Sequence, residues 1–340
     1  MQLRDLLEQA QAPALLIGNG INRYQSKDQQ NSWDDLLRLL AQRHLKDFSG
    51  SLPSGISLTE FYDILDLRLG ATRANSKRRK LHTSTSASTS STMSGLSQAS
   101  KANVNKPKAQ SLERSLQQQF CDLMSAWTPL EQHRYIMHWA RARQVPVLTT
   151  NFEHSLSQAI DARFFFACAN GDDSQGFTDF YPWEAYFSDR VLEHPCAGFG
   201  IWHVNGMQRY HRSIRLGLSH YMGSVERART RLHKGAQRLS AGTDPQQWSG
   251  ASTWLHILFH KPLLIFGLGL GENEVFLRWL LIERARYFMN FPKRFQPAWY
   301  VHPKGEKDSG KLYFLQAVGV QACELESYDA LYGAEAWRTF

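Results

Sequence analysis

The stretch that decides the fold is Pro13-Ala14-Leu15-Leu16-Ile17-Gly18-Asn19-Gly20-Ile21-Asn22-Arg23. Its apolar run is typical of a buried strand, ends at two glycines, and is followed by a predicted helix. Glycine permits a sharp turn or the close approach of backbone to a ligand, and a helix start offers free N–H groups to a phosphate. The stretch therefore indicates the beginning of a Rossmann-like nucleotide site, although plain strand-to-helix turns carry the same pattern.

Strands and helices alternate along the rest of the chain. Apolar runs with strand character lie at 145–150, 199–204, 262–266 and 298–301. Helical spacing of apolar residues occurs near 33–40, 58–69, 112–127, 131–143, 153–162, 221–239 and 274–288. This alternation predicts an α/β fold with a Rossmann-like parallel sheet flanked by helices.

The predicted organisation is one domain over 1–340 with two helical additions. A helical flanking module is expected over 24–144, and a second, mostly helical insertion over 207–255. Inside the first module, residues 74–110 are rich in Ser, Thr, Lys and Asn and contain almost no large apolar residue. Such a segment buries too little surface to offset its ordering entropy, so we expect a disordered basic loop.

The net charge of +8 comes from residues 67–112, which include that segment. Nine basic residues and no acidic residue lie between 67 and 112, and the remainder of the chain is close to neutral. An insertion exposed to solvent explains this charge. The alternative, which assigns it a function, is contact with nucleic acid through Lys77-Arg78-Arg79-Lys80. No aromatic residue interleaves the charges, which argues against a platform for single strands, so direct nucleic-acid binding is not expected.

Composition narrows the class of protein further. No run of about 18 apolar residues predicts a membrane span, and the first residues lack the basic-then-apolar pattern of a signal peptide. None of the four cysteines forms a CxxC pair, so neither structural zinc nor a disulfide framework is expected. A cytoplasmic location is the default expectation.

Three further motifs follow predicted strands, at the edge where open α/β sheets bind ligands. They read Thr-Thr-Asn-Phe-Glu at 149–153, His-Val-Asn-Gly at 203–206 and Gly-Leu-Gly-Leu-Gly-Glu at 267–272. Strand alternation places His203 and Asn205 on one side. Each motif has a plain alternative: Asn151 as a helix N-cap, His203 as a core histidine, the glycine run as a turn. Their joint occurrence and order favour a single ligand site.

This set of motifs resembles the sirtuin family, in particular the divergent bacterial sirtuin-like domains of anti-phage defence. Residues 18–21 are similar to the family's Gly-Ala-Gly-Ile loop, and 149–153 to its Thr-Gln-Asn-Ile-Asp motif. The 203–206 region is similar to the family's His-Gly motif, and 267–271 to the Gly-Thr-Ser loop that contacts the adenosine of NAD. The resemblance covers most of the chain outside 74–110.

Departures from the family pattern sharpen what the resemblance implies. The zinc-ribbon cysteine pairs and the Gly-Ile-Pro-Asp-Phe-Arg segment of the deacetylating members are missing, which disfavours protein deacylation and ADP-ribosyl transfer. The defence subgroup resembles NAD+ glycohydrolases, which need no metal. Most relatives carry histidine directly before the glycine, where this chain has Asn205. Either His203 has taken over that role, or the chain is a catalytically silent subunit that binds NAD or another nucleotide.

The resemblance also implies a role for each site residue. Asn151 would hold the attacking water and the ribose hydroxyls, His203 would act as general base with a pKa near the working pH, and Glu153 would contact the carboxamide. The pyrophosphate would lie on the Gly18–Gly20 loop, including Asn19, with Asn22 or Arg23 closing over it. Gly267 and Gly269 would contact the adenosine and Glu272 a ribose hydroxyl, with helix capping as the alternative for Glu272.

The implied biological role is that of an abortive-infection effector. A protein that destroys NAD+ must be restrained until a trigger arrives, and no second sensor domain is recognisable in this sequence. We therefore expect a homo-oligomer controlled by a separate partner: an ATPase, a nucleotide-processing enzyme, an Argonaute-like protein or a phage-sensing protein.

Overall fold

The computed structural model describes residues 2–10, 12–25, 31–85, 114–167, 181–242, 244–271 and 274–338, and of 72–85 the backbone alone. Eight strands form one sheet in this part of the chain. The strands are β1 (Ala14–Ile17), β2 (Val147–Thr149), β3 (Arg163–Phe166), β4 (Ala185–Ser188), β5 (Ile201–His203), β6 (Leu263–Phe266), β7 (Ala298–Pro303) and β8 (Val320–Leu325). Their order across the sheet is β3-β4-β5-β2-β1-β6-β7-β8.

Six of these strands are parallel and have the Rossmann order. The parallel strands are β5, β2, β1, β6, β7 and β8, while β3 and β4 form an antiparallel pair at one edge. Numbered by their occurrence along the chain, the parallel strands lie in the order 3-2-1-4-5-6, which is that of a dinucleotide-binding sheet. The direction of winding reverses between β1 and β6, so the crevice of this fold lies beyond the carboxyl ends of those two strands.

Helices cover both faces of the sheet. Within the described residues they are α1 (Leu3–Gln9), α2 (Gly20–Arg23), α3 (Trp33–His44), α4 (Leu58–Thr85), α5 (Leu116–Met124), α6 (Glu131–Ala142), α7 (Ser155–Gln158), α8 (Leu218–His233), α9 (Trp254–His260), α10 (Val275–Asn290), α11 (Ser309–Ala317) and α12 (Tyr328–Tyr332). One core joins the sheet to α8–α11, and a second joins its other face to α1, α6, α7 and α12. All four residues of β1 are fully buried, as expected of a central parallel strand.

A third apolar cluster joins α3, α4 and α5 to residues that approach the sheet edge. It contains Leu36, Leu40, Phe61 and Phe120, and it includes Phe152 from the segment after β2. The predicted start of α3 is confirmed, because the Ser32 hydroxyl caps it and accepts a hydrogen bond from the Asp35 N–H at 3.3 Å. The α3–α5 cluster therefore lies against the end of β2 that carries the second motif.

Three predicted features differ from the structure. Residues 74–85 of the basic tract are helical and form the end of α4. Ala, Arg, Lys and Leu have good helix propensity, so they extend a helix that packing has already nucleated. Residues 86–110 lie outside the described part of the chain. The predicted helix over 153–162 is confined to α7, a single turn. β3, β4 and β8 were missed, and β8 follows the strand predicted to be the last.

Candidate functional site

The loops after β1 and β6 touch one another at the switch point of the sheet. The Gly18 N–H donates to the Phe266 carbonyl at 3.0 Å, and the Gly20 N–H donates to the Gly267 carbonyl at 2.8 Å. A Cβ on Gly18 would lie 2.4 Å from the Gly267 oxygen, and one on Gly20 would lie 2.7 Å from the Gly267 Cα. Both glycines are therefore required by the packing of loop on loop, and the Gly20 N–H is already used within the protein.

A cleft of about 690 Å³ opens above this junction. Its walls come from the loops after β1, β6 and β7, from the start of α3 and from α12, and they include Asn19, Gly20, Gly267 and Gly269 of the predicted site. The volume is in the range of cavities that hold a cofactor-sized ligand. Gly18, Asn22, Asn151, Glu153, His203 and Asn205 do not line this cleft, and Glu272 lies outside the described residues.

Charged side chains of both signs face the cleft. Arg23 is exposed on its wall, and in the described part of the chain no ion pair involves its guanidinium. Lys311 is buried, pairs with Glu306 and lies over the Tyr300 ring at 5.4 Å. Burial raises the pKa of the Glu274 carboxyl, also on the wall, to about 7. The free guanidinium of Arg23 is the group best placed to meet an anionic ligand.

Asn22 was expected to close over the pyrophosphate, but its side chain is the centre of a directional hydrogen-bond network within the protein. His133 Nδ1 accepts the Leu130 N–H at 2.9 Å, so the ring proton is on Nε2, which donates to Asn22 Oδ1 at 2.9 Å. Asn22 Nδ2 then donates to Glu153 Oε1 at 2.8 Å and to Asn19 Oδ1 at 2.7 Å. Both amide hydrogens of Asn22 are therefore donated to protein acceptors. Asn22 thus acts as a positioning residue for Glu153 and Asn19.

Glu153 is buried at the end of β2 with one carboxylate oxygen unpartnered. Glu153 is 2% exposed, Oε1 accepts from Asn22, and Oε2 has no hydrogen-bond partner within the described residues. Burial raises the pKa of Glu153, and the hydrogen bond from the Asn22 amide partly opposes that shift. An unpaired buried oxygen carries a desolvation cost, so this atom is a candidate for contact with a ligand donor.

Asn151 and His203 meet at the carboxyl ends of β2 and β5. His203 Nδ1 donates to the Asn151 carbonyl at 2.7 Å, which leaves a lone pair on Nε2, and Nε2 has no partner in the part of the chain that the structure describes. The Asn151 side chain is fully buried, and neither of its polar atoms has a partner among these same residues. The His203 ring lies against Phe187 and His154, and this burial lowers its pKa to about 3. His203 is therefore a neutral hydrogen-bond acceptor, not a base with a pKa near the working pH.

Asn205 lies beyond the strand that was predicted to align it with His203. β5 ends at His203, Val204 and Asn205 form a turn, and the Asn205 carbonyl accepts the Arg215 N–H at 2.9 Å. Gly206 has φ +99°, and a Cβ there would lie 2.2 Å from the Ser213 oxygen. The Asn205 side chain is buried and its Nδ2 is unpartnered. The strand-alternation argument thus does not extend to this residue, although its amide lies beside the same sheet edge.

Two residues near the site were missed by sequence reasoning. His133 is in the first turn of α6, and its role depends on the packing of α6 against α2, which periodicity does not reveal. Tyr332 is in α12, follows the unpredicted strand β8, and lines the cleft with a fully buried ring. A tyrosine or histidine inside an apolar pattern gives no local signal of this kind.

Enclosed histidines make the fold sensitive to acid. Burial lowers the pKa of five histidines to about 3 or 4: His133, His154, His203, His256 and His260. Between pH 6.5 and 4 the unfolded chain therefore binds more protons than the folded one, and stability falls as the pH falls through that window. The raised pKa values of Glu153 and Glu274 act in the opposite direction but involve fewer groups.

We expect the Tm to be maximal above pH 7 and to fall by roughly 10 °C on acidification to pH 5. Differential scanning fluorimetry across this range at constant ionic strength measures it. A Tm that is flat, or that peaks near pH 5, would contradict the burial of these rings.

Comparison of the chain with protein-family models, with curated proteins and with solved structures gives no match. No helix in the described part of the chain has the length and apolar character needed to cross a membrane. Among the same residues, no cluster of three or more His, Cys, Asp or Glu side chains is arranged to hold a metal ion.

Proposed function

We propose that this protein is an NAD+ glycohydrolase that cleaves NAD+ to ADP-ribose and nicotinamide. The observation that carries the proposal is a group of buried polar atoms beyond the carboxyl ends of β2 and β5 that have no hydrogen-bond partner among the described residues: Asn151 Oδ1 and Nδ2, Glu153 Oε2, His203 Nε2 and Asn205 Nδ2. Buried polar atoms are nearly always paired, and a concentration of exceptions at the ligand edge of a sheet has a functional explanation. The same residues carry the resemblance to sirtuin-like domains.

The dinucleotide would extend across the switch point. The cleft would hold its pyrophosphate and adenosine portions, and this placement is supported by Arg23 and Asn19 on the cleft wall, the first as a cation and the second as a neutral donor. Asn19 is oriented for this, because its Oδ1 accepts from Asn22 while Nδ2 donates to the Asn31 carbonyl at 2.9 Å and retains a second hydrogen. The nicotinamide end would lie toward the ends of β2 and β5.

The chemistry demands positioning more than strong acid or base. Nicotinamide leaves as a neutral molecule when its bond to the ribose C1′ breaks, and a water oxygen then bonds to C1′ and releases one proton. The Asn151 amide can hold the water and a ribose hydroxyl at once, because it both donates and accepts. His203 Nε2 accepts a hydrogen bond from the water, and the released proton passes to solvent.

Activation by a partner fits the way this site is covered. Trp33 lines the cleft at the start of α3 and stacks on Phe152 with ring centroids 4.5 Å apart. Phe152, which lies between Asn151 and Glu153 in the sequence, is fully buried. Its ring also contacts Phe120 of α5. Displacement of the α3–α5 cluster would open a path from the cleft to Asn151. We propose that the expected partner, or a second copy of the chain in a homo-oligomer, drives that displacement in a cytoplasmic anti-phage defence complex.

A silent NAD-binding subunit of such a complex is the second candidate. It is favoured by the low pKa of His203, by the engagement of its Nδ1 with Asn151, and by Asn205 at the position where sirtuins carry histidine. The two candidates agree on ligand binding and differ only in turnover.

Loss of cellular NAD+ tests the proposal in the presence of native partners. The chain is expressed together with its neighbouring genes in a bacterial host challenged with phage, and NAD+ is measured in extracts. We expect at least a tenfold fall in NAD+ with the wild-type chain, and no fall with His203→Ala, where the water acceptor is lost. Unchanged NAD+ under every trigger, with NAD+ still bound by the pure protein, would favour the silent subunit.

A further inference from the structure

The Tyr332 hydroxyl occupies the space above the two contacting glycine loops. A Cβ on Gly20 would lie 2.8 Å from the Tyr332 oxygen, and one on Gly267 would lie 2.7 Å from it. Two glycines therefore leave room for this one hydroxyl at the switch point. The position lies where Rossmann sheets bring a ligand closest to the backbone.

Packing of the ring holds the hydroxyl in place without any hydrogen bond. The Tyr332 ring contacts Tyr24, Phe266 and Tyr328, with centroids 5.2, 6.1 and 6.2 Å away. Its side chain is 0% exposed, and among the described residues the hydroxyl has no hydrogen-bond partner. A buried hydroxyl without a partner is unfavourable in the free protein, yet Tyr332 borders the cleft.

The hydroxyl is a donor at every physiological pH. Burial raises the pKa of Tyr332 far above its ordinary value, with smaller contributions from Tyr328 and Tyr300. A neutral O–H donates most strongly to an anionic oxygen. Gly20 belongs to the loop on which the pyrophosphate is expected to lie, but its backbone N–H is already used by the Gly267 carbonyl.

We infer that the Tyr332 hydroxyl binds a phosphate oxygen of the ligand at the switch point, in place of the Gly20 N–H. This inference rests on the proposed binding of NAD+ in the cleft and identifies the donor for its pyrophosphate. A phosphate-bearing ligand supplies the missing acceptor, and its anionic oxygen accepts a hydrogen bond more strongly than the neutral oxygens of a nucleoside.

Tyr332→Phe tests the inference with two readouts, ligand affinity and stability of the free protein. By isothermal titration calorimetry, affinity for ADP-ribose should fall roughly tenfold, the value of one hydrogen bond to a charged group, while affinity for adenosine stays unchanged. The Tm of the free variant should equal or exceed that of the wild type, because an unpaired hydroxyl is removed.

Tyr300→Phe is the matched control in the same cleft. The Tyr300 hydroxyl donates to the Leu268 carbonyl at 2.7 Å, so its removal should lower the Tm. A loss of Tm in Tyr332→Phe like that of the control would show that the hydroxyl serves the fold. Unchanged ADP-ribose affinity would show that the hydroxyl does not contact the ligand. Either result overturns this inference and leaves the proposed function standing. Absence of ADP-ribose and NAD+ binding by the wild type overturns the proposed function as well.

Discussion

Asn151→Ala is expected to lower the rate of nicotinamide release at least about a hundredfold while the protein remains folded. In the proposed mechanism the Asn151 amide holds both the water and a ribose hydroxyl, and among the described residues its side-chain atoms have no hydrogen-bond partner. The backbone carbonyl that orients His203 is retained in the variant. Stability should therefore change little, since the loss of packing is offset by the removal of two unpaired buried atoms.

Asn290→Ala is the control for this prediction, because Asn290 is exposed at the end of α10, away from the cleft. Nicotinamide release and thermal unfolding are measured on both variants, with the wild type as reference. Full activity in Asn151→Ala would remove this residue from the mechanism. An unfolded Asn151→Ala would mean that its buried amide serves the fold.

Gly18→Ala is expected to destabilise the protein by about 3 kcal/mol or more and to abolish NAD+ binding. The new methyl group would lie 2.4 Å from the Gly267 oxygen, a backbone atom that cannot move without separating the loops after β1 and β6. The cleft floor is formed by these two loops, so affinity and stability should be lost together.

Gly269→Ala separates packing from ligand contact in the same pair of loops. No atom of the described residues lies within 4 Å of a Cβ at Gly269, although this residue lines the cleft. Chemical denaturation and calorimetric titration with NAD+ should show near-native stability for Gly269→Ala and a large loss for Gly18→Ala. Equal stability of the two variants would contradict the described contact between the loops.

The central sheet was predictable because its strands carry strong local signals. Ala14–Ile17 and Leu263–Phe266 are unbroken apolar runs that end in glycine, and that pattern is typical of strands buried on both faces. β8 alternates poorly, with adjacent exposed residues Gln321 and Ala322, so its place at the sheet edge had no local signature. The order of the strands, and hence the switch point, depends on long-range pairing that no short motif contains.

The candidate site was predictable in its chain positions but not in its geometry. The motifs at Gly18, Asn151 and Gly267 do lie at one edge of the sheet, as the parallel arrangement requires. The hydrogen bonds of the site could not be predicted, because the packing of helices and loops decides which polar atoms are paired. Asn22, for example, accepts from His133, and His203 donates to the Asn151 carbonyl. The helical state of 74–85 was likewise decided by continuation of a packed helix rather than by composition.

The most direct test of the account is the product analysis of NAD+ incubated with the purified protein and its partner. Chromatography should show nicotinamide and ADP-ribose formed in equal amounts, with Asn151→Ala inactive and the wild-type chain binding NAD+ by calorimetry. NAD+ bound but left intact by the wild type would contradict hydrolysis and leave a silent binding subunit. Failure to bind NAD+ at all would contradict the assignment of the switch-point cleft.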